Sequence, residues 1–141
     1  MAGYSGTPLA KKLGIKDGSV IALLNPPPTL DRDLDLGLLD GVVVHRQLTG
    51  PLDVIVVFVH DRAELERRFP EAKRSLHERG GLWVAWPKRT SGVATDLTEN
   101  VVRDVGLCQG LVDTKVCAVD DTWSGLRFVY RLRDRPPRAT W

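Results

Sequence analysis

The chain is poor in the residues that make chemistry obvious. It has two cysteines, three histidines and one methionine in 141 residues. Cys108 and Cys117 sit in apolar surroundings with neither C-x-x-C nor Cys/His spacing. That excludes a recognisable metal or redox centre and leads to the expectation of two buried free thiols in a reducing compartment. No run approaches the roughly 18 apolar residues of a membrane span, and the N-terminus lacks a signal-peptide apolar core. A soluble, cytoplasmic protein with no membrane partner is therefore expected. Net charge is nearly absent too: 20 Lys and Arg against 18 Asp and Glu leave +2, too little to argue for nucleic acid by itself. What remains is globular, with 43% hydrophobic and 27% charged residues. The length suits one ordinary domain that buries its own core without disulfides or metal.

A further absence concerns the first strand. Ser19–Leu24 is a continuous apolar run with sharp ends, the pattern of a strand buried on both faces of a parallel sheet. A dinucleotide or S-adenosylmethionine site in such a sheet places a glycine-rich turn after this strand, because only glycine lets backbone amides approach the cofactor closely. The turn here is Asn25-Pro26-Pro27-Pro28, which removes three amide donors and fixes an extended path. No cofactor is expected.

The rest of the chain reads in order. Thr7–Gly14 predicts a short helix capped by Thr7, begun by Pro8 and ended by Gly14, with Lys11 and Lys12 on a solvated face. Residues 29–39 predict a short acidic helix. Asp31, Asp33, Asp35 and Asp40 lack the distal Glu of a calcium loop, so no metal is expected there. Gly41–Arg46 and Asp53–His60 predict strands. Gln47–Leu52 is too short for a helical crossover, so the two are either non-adjacent or an antiparallel edge pair. Asp61 with Glu64 predicts a helix start, and Leu65, Phe69, Ala72 and Leu76 form its apolar stripe. That helix is expected to run to about Arg79, to kink or divide at Pro70, and to stop at Gly80. His60 and His77 have no acid or nucleophile nearby in sequence and read as structural or solvated.

The strand Gly81–Trp86, cut off by Pro87, carries the candidate site at its carboxyl end, where open α/β sheets bind ligands. Lys88, Arg89, Thr90, Ser91 and Gly92 form a basic, hydroxyl-rich bend. Asp96 with Glu99, or Thr98 alone, then caps a helix through Val101, Val102, Val105 and Leu107. The free amides of that helix start, strengthened by the two cations, suit an anion. The candidate ligand-binding residues are Trp86, Lys88, Arg89, Thr90, Ser91, Gly92, Thr95, Asp96, Thr98 and Trp123, with help from Ser5 and Thr7. The plainer reading has Lys88 and Arg89 solvated, with Thr95, Asp96 and Thr98 only capping. Leu111–Asp120 and Asp121–Arg131 predict an antiparallel edge hairpin. At its tip Asp120 and Asp121 suit turn chemistry as well as acid–base or metal-ligand work. Trp123 suits either ligand stacking or the core. Residues 134–141, basic and proline-rich, predict a disordered tail after a domain of residues 1–133.

With these residues in view, the chain resembles the actinobacterial domain of unknown function 3052 family. The resemblance rests on YSGTPLAKKLGI (4–15), RAELERR (62–68), GGLWVAWPK (80–88), SGVATDLTE (91–99) and KVCAVDDTWSGLRF (115–128). The family brings no established activity. More loosely, the order of strand, helix, Gly-Gly strand, helix and closing hairpin is similar to the second half of S-adenosylmethionine-dependent methyltransferase folds. The implied fold class is α/β, a single Rossmann-like sheet, mostly parallel, with a C-terminal antiparallel hairpin. Three functional readings follow. The first is a non-enzymatic binding or regulatory domain for an anionic small molecule or a protein partner, with no catalytic residues. The second is a divergent methyltransferase, and the third is nucleic-acid binding through Lys11, Lys12, Lys88, Arg89 and the tail.

Overall fold

The computed structural model describes residues 7–135. In chain order it comprises α1 (Leu9–Leu13), β1 (Val20–Leu24), α2 (Leu30–Leu34), β2 (Val43–His45), β3 (Leu52–Phe58), α3 (Arg62–Ser75), β4 (Leu76–Pro87), α4 (Glu99–Cys108), β5 (Leu111–Ala118) and β6 (Trp123–Tyr130). Short 3-10 turns lie at Leu36–Leu38, Arg89–Ser91 and Leu132–Asp134. The strands form one six-stranded sheet in the order β2-β1-β3-β4-β6-β5. β2, β1, β3 and β4 run parallel, and β6 lies antiparallel between β4 and β5. This is the expected α/β architecture with its closing hairpin.

The continuous apolar runs are explained by helices on both sides of the sheet. Ala22, Leu24, Ile55, Val57, Leu82, Val84 and Trp86 face α3 and α4, packing with Leu65, Phe69, Ala72, Val102 and Val105. Their sequence neighbours Ile21, Leu23, Val54, Val56, Trp83 and Ala85 face α1 and α2, packing with Leu9, Leu13, Leu30 and Leu34. A period of two thus divides each strand between two cores. Each fully buried aliphatic or aromatic side chain contributes about 1.5–3 kcal/mol.

β2 and β3 are the non-adjacent pair of the two alternatives, since each pairs with β1 in parallel. β2 stands level with Val20–Ala22 only, so the chain has only to step across β1 to reach β3. The segment 29–39 forms α2 and then the 3-10 turn Leu36–Leu38 rather than one helix. Asp61 caps α3 by accepting from Glu64 N, and Glu64 Oε1 accepts from His60 N. His77 Nδ1 accepts from Arg79 N, and the His60 ring packs edge-on to Trp123.

Several expectations need correction. α3 runs through Pro70 as one helix and ends at Ser75, not near Arg79. Leu76 leaves the helical stripe because it pairs with Leu52, and an irregularity between Leu52 and Val54 accommodates the residues up to Gly81. Gly80 is therefore a strand residue, not a helix stop: a Cβ there would stand 2.7 Å from the Asp53 carbonyl oxygen. Pro8, not Thr7, is the N-cap of α1, and no side chain caps it, whereas Gly14 takes the expected left-handed conformation (φ 83°). Neither cysteine is buried: Cys108 is exposed and Cys117 half-buried, both as free thiols. Leu107 is likewise exposed at the end of α4. Of the expected tail, Asp134 ends the last 3-10 turn and Arg135 Nε donates to Tyr130 O. Ser5 and residues 136–141 lie outside the described residues. Among the described residues no helix is long and apolar enough to cross a membrane.

Candidate functional site

The bend after β4 is held at both ends. Lys88 N donates to Thr122 O at 2.7 Å, tying it to the hairpin tip. Asp96 Oδ1 accepts from Arg62 N at 2.8 Å, tying its far side to the first turn of α3. Between these points Ser91 Oγ donates to Lys88 O and accepts from Val93 N. Gly92 takes φ 79°, and Thr95 Oγ1 accepts from Leu97 N. Leu97 sinks into the α3/α4 core. Thr98 is the N-cap of α4, its Oγ1 accepting from Val101 N at 3.2 Å. The amides of Glu99 and Asn100 have no partner among the described residues, as a helix start leaves them.

An open cleft of about 330 Å³ lies against this bend, lined by Trp86, Lys88, Arg89, Thr90, Leu97, Thr98, Glu99 and Ser124. Five of the sequence-predicted site residues therefore meet: Trp86, Lys88, Arg89, Thr90 and Thr98. Ser91, Gly92, Thr95 and Asp96 are not on its lining; their side chains and backbone shape the bend instead. Trp123 is not there either. It is 7% exposed on the opposite sheet face, edge-on to Phe58 with ring centroids 5.1 Å apart and to His60 at 5.2 Å. Trp123 pairs with Pro87 and Ser124 with Trp86, so alternation sends the tryptophan to the α1/α2 core and the serine to the cleft. Thr7 stands near α1, away from the lining. Asp120 Oδ1 accepts from Thr122 N and Trp123 N, the turn chemistry anticipated for the hairpin tip.

Sequence reasoning missed Leu97, Ser124 and Glu99 as lining residues. The signal for Ser124 was the alternation itself, since it neighbours a buried tryptophan in an edge hairpin. Glu99 brings a carboxylate into the cleft, but Arg103 takes its charge: Glu99 Oε2 accepts from Arg103 Nη2 at 2.6 Å. Arg103 also donates to Asn100 and Asp113. The hydrogen bonds to Glu99 and then Asp113 raise the Arg103 pKa. Lys88 and Arg89 make no ion pair among the described residues, so the cleft is net cationic.

The two neighbouring tryptophans differ in one atom's fate. Trp83 Nε1 donates to Leu13 O at 2.9 Å in the core. Trp86 is 5% exposed, yet its indole N–H has no partner among the described residues and is not among the sealed, unpartnered side-chain donors, which belong to Arg68 and Arg131. Trp86 thus lines the cleft beside two cations and a helix start. No nucleophile–base pair lines it, and no three His, Cys, Asp or Glu side chains converge among the described residues.

The sequence matches the family described as protein of unknown function (DUF3052) over residues 10–132. No curated protein matches it. In structure the chain is similar to an S-adenosylmethionine-dependent methyltransferase from Aquifex aeolicus, with a TM-score of 0.57 and 15% identity over 85% of this chain and 86% of that one. It is similar also to magnesium protoporphyrin IX methyltransferase from Synechocystis PCC 6803 with bound S-adenosylhomocysteine, with a TM-score of 0.58 and 10% identity over 87% and 78% of the two chains. A third likeness is to fibrillarin of Aeropyrum pernix with natively bound S-adenosyl-L-methionine, with a TM-score of 0.51 and 16% identity over 90% and 70%. At these identities the likeness is one of fold.

Proposed function

The chain belongs to the DUF3052 family, and from that premise we propose that it is a non-enzymatic binding or regulatory protein whose anionic ligand or partner occupies the cleft after β4. The observation that carries this reading is the meeting, on one cleft, of two cations without counter-ions, Trp86 and the Thr98–Glu99 start of α4. The cations donate, and the one carboxylate of the lining, Glu99, is engaged by Arg103. A carboxylate or phosphate group fits such a lining. The two free cysteines suit a cytoplasmic setting, and one domain of residues 1–133 followed by a basic tail suits a protein that acts through contacts.

The fold likeness favours a second reading, a divergent methyltransferase, because two of the similar structures carry the methyl donor or its product. Against it stands the end of β1. Asn25 turns at φ 56° into Pro26-Pro27-Pro28, and three residues without N–H follow the strand where a glycine cradle would donate. Fold analogy alone is weak ground for assigning chemistry.

Calorimetric titration separates the readings. Inorganic phosphate and small carboxylates should bind the wild type and lose at least roughly tenfold in affinity with Lys88→Ala together with Arg89→Ala, since charge-assisted hydrogen bonds contribute about 1.5–3 kcal/mol each. Unchanged binding in that double variant sinks the site assignment. Saturable S-adenosylmethionine binding would favour the methyltransferase instead.

A further inference from the structure

The two edges of the sheet are built differently. At one edge β5 carries an exposed lysine, Lys115, and a register shift between Asp113 and Lys115. A charge and a local irregularity are devices that keep an edge strand from pairing with another chain. At the other edge β2 has neither. Val43-Val44-His45, with Val42 before it, contains no lysine, proline or acid and keeps regular parallel register with Val20, Ile21 and Ala22. Only its short length limits what it can pair with.

The apolar groups of this edge are uncovered. Val43 is 47% exposed, Val44 37%, and Leu38, in the turn that leads into β2, 77%. The backbone is open as well. Val43 N donates to Ser19 O at 2.9 Å, toward β1, so by strand alternation the N–H and C=O of Val42 and Val44 point to the open side. The two ends of the strand carry opposite charge: Asp40 precedes it and Arg46 follows it, both exposed. Asp40 makes no ion pair among the described residues. Arg46 reaches Asp31 through Nη2, at 2.9 and 3.1 Å, and the rest of its guanidinium fork suits a second carboxylate.

We propose that β2 pairs antiparallel with β2 of a second copy of this chain, about a two-fold axis through Val43, so that one sheet runs through both subunits. The strand is its own complement in that arrangement. An axis at Val43 sets Val42 against the partner's Val44, and these are the residues whose outward backbone groups can exchange hydrogen bonds. The exposed Val43 side chains then meet each other. Positions 40 and 46 lie equally far from 43, so Arg46 arrives beside the partner's Asp40, and symmetry repeats the contact. An unrelated extended peptide would have to bring both the apolar centre and the opposed charges, whereas a second copy carries them already. The nearby acids of α2 are partly answered within the chain, Asp31 by Arg46 and Asp33 by Arg32. β1 and β3 separate β2 from β4, so both copies keep an open cleft.

The test is sedimentation velocity of the full chain over a concentration series, joined to cross-linking. The contact is short, so the sedimentation coefficient should rise from the monomer value to the dimer value with concentration. Val43→Lys places a charge at the centre of the pairing on an exposed side chain, and should hold the chain monomeric with an unchanged far-ultraviolet circular dichroism spectrum. Asp40→Arg and Arg46→Asp should each weaken the dimer, and the two together should restore it. In a chain carrying Cys108→Ser and Cys117→Ser, Val43→Cys should give a disulfide-linked dimer on mild oxidation, since directly opposed residues of a non-hydrogen-bonded antiparallel pair stand about 4.5 Å apart at Cα. Lys115→Cys, at the other edge, should not. A monomer at every concentration overturns the proposal. So does a dimer that Val43→Lys leaves intact, a charge exchange that fails to restore it, or a dimer that cross-links through position 115 instead.

Discussion

Gly106→Ala tests whether helix propensity or packing governs α4. In an isolated helix the change gains about 0.8–1 kcal/mol, because glycine loses more backbone entropy on folding than alanine. Here Gly106 is buried in the last turn of α4, and a Cβ would stand 2.0 Å from Phe128 Cε1, 2.5 Å from Cζ and 2.6 Å from Cδ1. The ring has little room to withdraw, since Phe128 is fully buried and meets Phe69 edge-on with centroids 5.3 Å apart. Overpacking of this kind costs typically about 1–3 kcal/mol, occasionally more, and contact with three ring atoms places it at the upper end. The net effect is a loss of about 1–2 kcal/mol, or a fall in Tm of roughly 3–8 °C for a domain of this size. Thermal unfolding followed by circular dichroism measures it. Phe128→Leu combined with Gly106→Ala should recover part of the loss in a double-mutant cycle. A Tm equal to or above wild type in the single variant would refute the close approach of α4 to β6, and with it the placement of Thr98 on the cleft.

Four further outcomes follow from the same geometry. Thr98→Ala removes the cap of α4 and should cost about 1 kcal/mol in denaturant unfolding; no change would mean that another group takes the Val101 amide. Lys115→Glu places a carboxylate opposite Arg127 and should stabilise by about 0.2–1 kcal/mol, read as a higher midpoint that shrinks with salt. Cys108 is exposed and Cys117 half-buried with a raised pKa, so a thiol reagent at neutral pH should modify Cys108 first; equal rates would contradict the burial of Cys117. Burial raises both the Cys117 and Tyr130 pKa above their ordinary 9.0 and 10.0, so the folded state holds these protons more tightly than the unfolded one. The stability they give is complete below pH 9 and is lost as pH rises through the folded values, and Cys117→Ser should blunt the earlier part of that loss.

Apolar continuity made the buried strands legible, and punctuation located their ends. Asp61, Thr98 and Gly14 were readable because caps act within a few residues of themselves. The failures occurred where distant pairing outweighs local signal. Leu76 continues a helical stripe in sequence but joins β4 because Leu52 lies beside it. Gly80 looks like a helix stop and instead lets two strands approach. At the site, residue type and position indicated the cleft, since cations and hydroxyls after a core strand can be counted in sequence. Which of them face it depends on strand phase and turn geometry. That is why Trp123 fell on the wrong face, and why Asp96 joins α3 instead of capping α4.

The division of β4 between two cores has a consequence for how this chain can vary in length. Trp83 and Trp86 stand three positions apart and so look into opposite compartments. Deleting or inserting one residue between Gly81 and Pro87 would exchange those compartments for every strand side chain beyond the change, turning the Trp86 indole away from the cleft wall and into the α1/α2 core, with Ala85 left in its place. The bend from Lys88 to Thr98, by contrast, can lengthen at its exposed tip without disturbing either compartment. Diversification in such a molecule is confined to its rim, while the span of the dividing strand stays numerically fixed.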